Sequence, residues 1–295
     1  MDMIVAAVAL ETERDPVIAR ALQLAALHRA RLVLVHVMEI DMEGVRSAPG
    51  ADAAHGLLRD EAERRIRAAV ADLAPAVDPE VGPEVIIAEG RPFQVIEDLT
   101  GRMDADLLLI GAGTARNIRE KILGSTADRL ILSSRMPVLV ARKDDPLPYR
   151  NITVAIDPSD ASMAAAKAAH RLGSAAPIAY LHVVEIPLPF EEALLKAGTP
   201  LSEVERYRRS RRASARKELQ SALEAAGIPY QGRLRVVSGD ARDVLVRRAR
   251  NPRTDLIALG TNRGNAVSQM LLGSVARNVL QGARCDVLIT AMAAR

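Results

Sequence analysis

Tryptophan is absent from this chain, and only two Phe and four Tyr stand among its 295 residues. The stacking platforms on which single-strand nucleic-acid binders rest their bases are therefore mostly missing, and any core must be aliphatic. Cysteine occurs once, at Cys285, which excludes an intrachain disulfide framework. No CxxC, HExxH or clustered His spacing offers a structural metal site. Charge of one sign is also lacking: 40 Lys and Arg face 37 Asp and Glu, a net charge of +3. The opening Met-Asp-Met-Ile-Val carries an acid where a signal peptide wants Lys or Arg, and its apolar run to Leu10 is too short for a membrane span. These absences fit a soluble, unprocessed protein of a reducing cytoplasm.

What the chain does have is repetition. Asp106-Leu-Leu-Leu-Ile-Gly111, followed by Leu123-Gly-Ser-Thr126, returns as Asp255-Leu-Ile-Ala-Leu-Gly260, followed by Leu272-Gly-Ser-Val275. Gly90 matches Gly239 at the same offset of 149 residues. Two related folding units of ordinary domain size are implied, 1–143 and 150–295. The polar, Pro-rich stretch from Lys143 to Arg150 reads as the linker, with the boundary near Tyr149.

Each half opens on a short β-branched run, Ile4 to Val8 and Ile152 to Ile156, too brief for a helix and suited to a buried strand. Asp15 with Pro16 predicts a capped helix in the first half, and Ser159 or Asp160 caps an Ala-rich helix ending before Gly173 in the second. The continuous apolar strands Leu32 to Ile40 and Ile178 to Ile186 share a His-Val-x-Glu pattern and suit a parallel sheet covered on both faces. Long charged helices are expected over about 57 to 73 and 202 to 226. Strand–helix alternation throughout predicts an α/β fold of two tandem, doubly wound, five-stranded parallel sheets of Rossmann-like type.

Ligands of open α/β sheets bind outside the carboxyl ends of the strands, where strand order reverses. In the second half Ala155, Ile156, Asp157, Val183, Gly260 and the helix-opening Gly273-Ser274-Val275 can reach that crevice. A helix N-terminus presents unpaired N–H groups and positive dipole, so phosphate is its natural partner. Yet glycine after a strand and Gly-Ser at a helix start are also ordinary turn and cap chemistry. No GxxxxGK[ST] is present, and Gly111-Ala-Gly113 fails as a dinucleotide fingerprint because Arg116 occupies the third glycine position.

The order Val-Ala-Ile-Asp157, Leu-His-Val183, Asp255-Leu-Ile-Ala-Leu-Gly260 and Leu-Leu-Gly-Ser-Val-Ala-Arg-Asn-Val279 resembles the universal stress protein family, in both halves and nearly end to end. The resemblance implies an adenine nucleotide alpha hydrolase-like fold and a site for ATP, AMP or ADP with Mg²⁺. ATP-binding members show Gly, two residues, Gly, nine residues, then Gly-Ser or Gly-Thr. Here the second half has Arg263 at the middle glycine, and the first half has Thr114 there, with Gly113 one position early.

Carried over residue by residue, Asp157 and Val183 would hold adenosine, while Gly260, Asn262, Arg263, Gly273, Ser274 and Val275 surround phosphates. Arg263 either reaches the phosphates with its guanidinium or fills their space. A weaker counterpart in the first half comprises Val37, Gly111, Gly113, Gly124, Ser125 and Thr126. Ala9 there replaces the acid, and losing a hydrogen bond to a carboxylate costs roughly 1.5 to 3 kcal/mol, about ten- to a hundredfold in affinity.

The resemblance further implies pairing through the final strands, Val138 to Val140 with Val287 to Ile289, a homodimer and a regulatory protein partner. The function expected is a stress-response regulator or sensor, at most a slow ATPase, because no catalytic base or nucleophile stands out. A nucleotide-free interaction scaffold is the rival, since both glycine patterns are damaged. His36 and His182, mid-strand among apolar residues, read as satisfied core histidines. The basic helix holding Arg206, Arg208, Arg209, Arg211, Arg212, Arg216 and Lys217 reads as a solvated face rather than a nucleic-acid site, because Glu203, Glu205, Glu218 and Glu224 accompany it.

Overall fold

The computed structural model describes residues 1–11, 15–39, 51–73, 82–113, 125–143, 147–173, 176–186, 193–230, 232–261 and 272–291, the side chains of Ala51 and Ser125 excepted. Two compact units divide the chain, Met1–Pro148 and Tyr149–Arg295.

In the first unit the order is β1 (Met3–Ala7), α1 (Pro16–His28), β2 (Arg31–Met38), α2 (Ala51–Leu73), β3 (Glu84–Glu89), α3 (Pro92–Arg102), β4 (Leu107–Gly111), α4 (Ser125–Ser133) and β5 (Val138–Ala141). The strands lie in the order β3-β2-β1-β4-β5, every neighbour parallel. In the second unit the order is β6 (Ile152–Ala155), α5 (Asp160–Leu172), β7 (Ile178–Val184), α6 (Leu201–Ala225), β8 (Leu234–Ser238), α7 (Ala241–Arg250), β9 (Leu256–Thr261), α8 (Ser274–Gly282) and β10 (Asp286–Ala291). Its strand order, β8-β7-β6-β9-β10, is the same and again all parallel. Strand order reverses beside β1 and beside β6, so each unit opens a crevice at the carboxyl ends of β1 and β4 or of β6 and β9.

Aliphatic side chains build both cores as the scarcity of aromatics requires. Ile4, Leu34, Leu109 and Leu139 are fully buried in the first unit, and Val154, Ala258 and Leu288 in the second. Each such Leu or Ile contributes about 1.5 to 3 kcal/mol on leaving water.

The sequence signals for helix starts are used directly. Asp15 Oδ1 accepts from Val17 N at 2.8 Å with Pro16 as the first helical residue, and Ser159 Oγ accepts from Ser162 N at 3.3 Å. The second helix of the first unit starts earlier than expected, at Ala51 rather than near Leu57. Ala51, Ala53 and Ala54 are the strongest helix formers, and they outweigh the break suggested by Gly56.

The repeated acids Asp106 and Asp255 have an architectural use. Asp106 Oδ2 accepts from Asp2 N at 2.6 Å and Met3 N at 3.1 Å; Asp255 Oδ2 accepts from Arg150 N and Asn151 N, both at 3.0 Å. Each carboxylate thus ties the entry of its unit's first strand to that of the adjoining one. Gly90 and Gly239 are constrained too, with φ of +131° and +150°, a conformation only glycine adopts without strain.

Candidate functional site

At the crevice of the second unit lies a cavity of about 560 Å³, within the range of small-molecule sites. Ala155, Ile156 and Asp157 line it from the end of β6, and Val183 from β7. Gly260 reaches it from β9, and Gly273, Ser274 and Val275 from the start of α8. Eight side or main chains singled out by spacing therefore meet around one space. Asn262 and Arg263, the other two, lie outside the described residues.

Asp157 is exposed at the rim of the cavity. Desolvation pushes its carboxyl upward, but hydrogen bonds from Ser159 and Ser162, helped by the nearby His182, outweigh this and hold it below the ordinary aspartate value. Oδ1 accepts from Ser159 N at 2.9 Å and from the Ser159 hydroxyl, while Asp157 N donates to Ser162 Oγ at 3.2 Å. The acid is thus fixed and ionised at neutral pH.

The two glycines of the site are glycine for different reasons. A Cβ on Gly260 would fall 2.3 Å from the backbone carbon and oxygen of Ala161 and 2.5 Å from Ser162 N. Its bareness lets the first turn of α5 lie against β9, a packing reason rather than a ligand one. Gly273 has an ordinary φ of −55°, and nothing lies within 4 Å of where its Cβ would be. Among the described residues neither backbone conformation nor a neighbouring atom demands glycine there. The space it leaves open belongs to the cavity.

The start of α8 is also bare of the usual side-chain cap. Asp15, Ser159 and Asp240 cap α1, α5 and α7 through their side chains, whereas α8, like α3 and α6, has no side-chain cap. Among the described residues no side chain caps the first N–H groups of α8, and the helix dipole there favours an anion.

Spacing did not single out Ser162, His182, Glu185 and Thr261, which also line the cavity. His182 donates from Nδ1 to Ile156 O at 2.7 Å, since a carbonyl can only accept. The hydrogen-bonded histidine is as anticipated, but its ring borders the candidate site. Glu185 Oε1 accepts from Ala241 N, the first residue of α7, at 3.0 Å. The signal that pointed to both was the repeated His-Val-x-Glu, read only for its strand character.

The first unit has a smaller cavity, about 350 Å³, at the equivalent crevice. Val37, Gly111, Gly113 and Thr126 line it; Gly124 and the Ser125 side chain lie outside the described residues. His36 Nδ1 donates to Val8 O at 2.8 Å, repeating the second unit's bond. Ala9 stands where Asp157 stands in the other unit. Glu11 and Glu39 are the acids that line this cavity; Asp15, at the start of α1, takes the N–H groups of Val17, Ala9 and Leu10, and burial, reinforced by Glu11, nevertheless leaves its pKa raised. Among the described residues no group of His, Cys, Asp and Glu is arranged to hold a metal ion, and no helix is long and apolar enough to cross a membrane.

Comparison with known proteins agrees with the duplication. A profile of the universal stress protein family matches residues 1–142 and again 148–291. The universal stress protein MJ0531 of Methanocaldococcus jannaschii is 27% identical over 143 residues, 48% of this chain and 81% of that protein. Among solved structures, a universal stress protein of Archaeoglobus fulgidus superposes with a TM-score of 0.65 at 17% identity, covering 99% of this chain and 98% of its own. Another family structure, solved in complex with cAMP, matches 48% of this chain and 98% of its own at 21% identity and a TM-score of 0.33.

Proposed function

Because the chain belongs to the universal stress protein family, we propose that its second domain binds an adenine nucleotide, ATP or a smaller relative, and that the bound nucleotide tunes a stress-response regulator. The observation that carries this reading is Gly273: among the described residues a glycine without a backbone or packing reason, at a helix start without a side-chain cap, lining a cavity that Asp157 also lines. Asp157 and Val183 hold the nucleoside in this reading. Gly273, Ser274 and Val275 hold phosphate through backbone N–H groups and the Ser hydroxyl, with Asn262 and Arg263 beside them.

The residues present suit a magnesium–nucleotide complex. Mg²⁺ is held mainly by phosphate oxygens and water, so the lack of a protein carboxylate cluster is no obstacle. The metal would screen phosphate charge. The protein's own part is to fix and desolvate the ligand, and turnover, where it occurs, is slow. A cytoplasmic location, a homodimer and a regulatory protein partner belong to the same proposal. The domains it assigns are 1–143 with a degenerate site and 150–295 with the better-kept one.

The absence of Trp makes the test simple. Purified, desalted protein absorbs weakly at 280 nm, so copurified adenine nucleotide stands out near 260 nm. A thermal upshift on adding ATP and Mg²⁺ is expected, growing with ligand concentration. A sample without the band and without the shift sinks the proposal in favour of a nucleotide-free scaffold.

A further inference from the structure

The two units share a fold but not a charge. Met1–Pro148 carries 18 Lys and Arg against 24 Asp and Glu, a net −6, while Tyr149–Arg295 carries 22 against 13, a net +9. Near-neutrality of the whole chain conceals two opposite halves.

The excess concentrates at one edge of the second unit. From Arg206 to Lys217, α6 has six Arg and one Lys and no acid at all, its four Glu lying outside that span. Glu203 is engaged by Arg206 at 3.2 Å. Arg209, Arg211 and Lys217 are exposed and form no ion pair among the described residues. The helix is only lightly held, with Val204, Leu219 and Leu223 as its buried residues. Arg216 fastens it to the outermost strand β8, donating from both terminal nitrogens to Leu234 O at 3.0 and 2.6 Å. That bond sets the helix beside the exposed Arg233 and Arg235.

The corresponding edge of the first unit serves as an internal control. There α2 mixes Asp52, Asp60, Glu61, Glu63 and Asp72 with four Arg, of which Arg64 pairs with Glu61 and Arg67 with Glu63. Its outer strand β3 begins and ends with Glu. The fold does not require a basic edge; only the second unit has one.

We infer that the α6–β8 edge, which the sequence pattern alone reads as a solvated face because four Glu accompany its cations, binds the phosphodiester backbone of duplex nucleic acid without reading sequence, since those Glu all lie outside the Arg206 to Lys217 span. Arginine presents a planar fork that matches phosphate oxygens bidentately. At 1.5 Å per residue α6 is about 37 Å long, close to one turn of a duplex. The scarcity of aromatics argues against stacking on single-stranded bases and leaves the backbone as the target. A lipid surface fits less well, because Leu201 and Tyr207 are the exposed large apolar side chains of α6, whereas interfacial helices need a whole apolar face.

The test uses the full chain and a labelled duplex of arbitrary sequence, followed by fluorescence anisotropy. Micromolar binding at about 50 mM salt is expected, weakening on the order of a hundredfold by about 200 mM if some four phosphates are neutralised. The triple variant Arg209→Gln, Arg211→Gln, Lys217→Gln lowers the salt slope by about 0.9 for each cation removed, while its melting temperature is kept. The control Arg59→Gln, Arg64→Gln, Arg67→Gln on α2 binds as the parent does. No binding at the lower salt, equal loss in both variants, or capture by phosphatidylserine vesicles with none by the duplex overturns the inference. Thermal response to ATP is read separately, so either proposal can fail alone.

Discussion

Two glycines in the second unit show why residue type alone does not separate a binding position from a packing one. Gly260 and Gly273 look alike in sequence, each bordering the crevice, but a side chain at the first meets backbone and at the second meets nothing. Gly260→Ala is therefore expected to unfold or strongly destabilise the second unit, by several kcal/mol in the manner of core overpacking, seen as a large fall in the denaturant midpoint. Gly273→Ala leaves that midpoint nearly unchanged and weakens ATP binding by tenfold or more, because the new methyl occupies space reserved for phosphate. If Gly273→Ala binds ATP as well as the parent, the helix start is not the phosphate contact. Sequence spacing places both residues at the crevice; the difference in what surrounds them is visible only from the atoms around a missing Cβ.

Elements were more legible than sites. Pro16 after Asp15, and Ser159 before an Ala-rich run, marked helix starts that the structure uses, because capping depends on a few adjacent residues. The start of α2 at Ala51 lies earlier than the expected position near Leu57 because the alanines there act by propensity and leave no spacing signal. Asp15 shows what local reading cannot supply: its pKa is raised by burial although three N–H groups favour its charged form. A raised acid pKa means the folded state holds the proton more tightly than the unfolded chain does. Stability from this group is thus full below the ordinary value of 3.8 and declines as pH rises through the folded value. Asp15→Asn keeps a cap of equal quality and removes the ionisation cost. Thermal melts are expected to coincide at pH 3 and to favour the variant at pH 7; a variant less stable at pH 7 shows that the carboxylate charge is needed at the end of β1.

Across the whole molecule, duplication conserved the scaffold and let the crevices diverge. The Asp106 and Asp255 clamps, the His36 and His182 bonds and the strand order recur in both units. The cavities share His36 with His182, Val37 with Val183, Glu39 with Glu185 and Gly111 with Gly260, but Ala9 replaces Asp157 and about 350 Å³ replaces about 560 Å³. The repeat is plain in the sequence because strand and turn chemistry fixes it, and the loss of the acid at Ala9 is legible there too; the difference in cavity volume depends on side-chain packing, which spacing does not encode. Calorimetric titration of ATP and Mg²⁺ into nucleotide-free protein should consequently give one site per chain rather than two. Asp157→Ala should lower that site's affinity by about ten- to a hundredfold, the worth of a hydrogen bond to a charged group. Introducing Ala9→Asp should do little by itself, because Asp15 already occupies the backbone N–H groups there and, among the described residues, Glu11 stands where Ser159 orients Asp157 in the other unit. A measured stoichiometry of two in the parent, with Asp157→Ala removing only one site, would instead make the first crevice a competent nucleotide site without its acid.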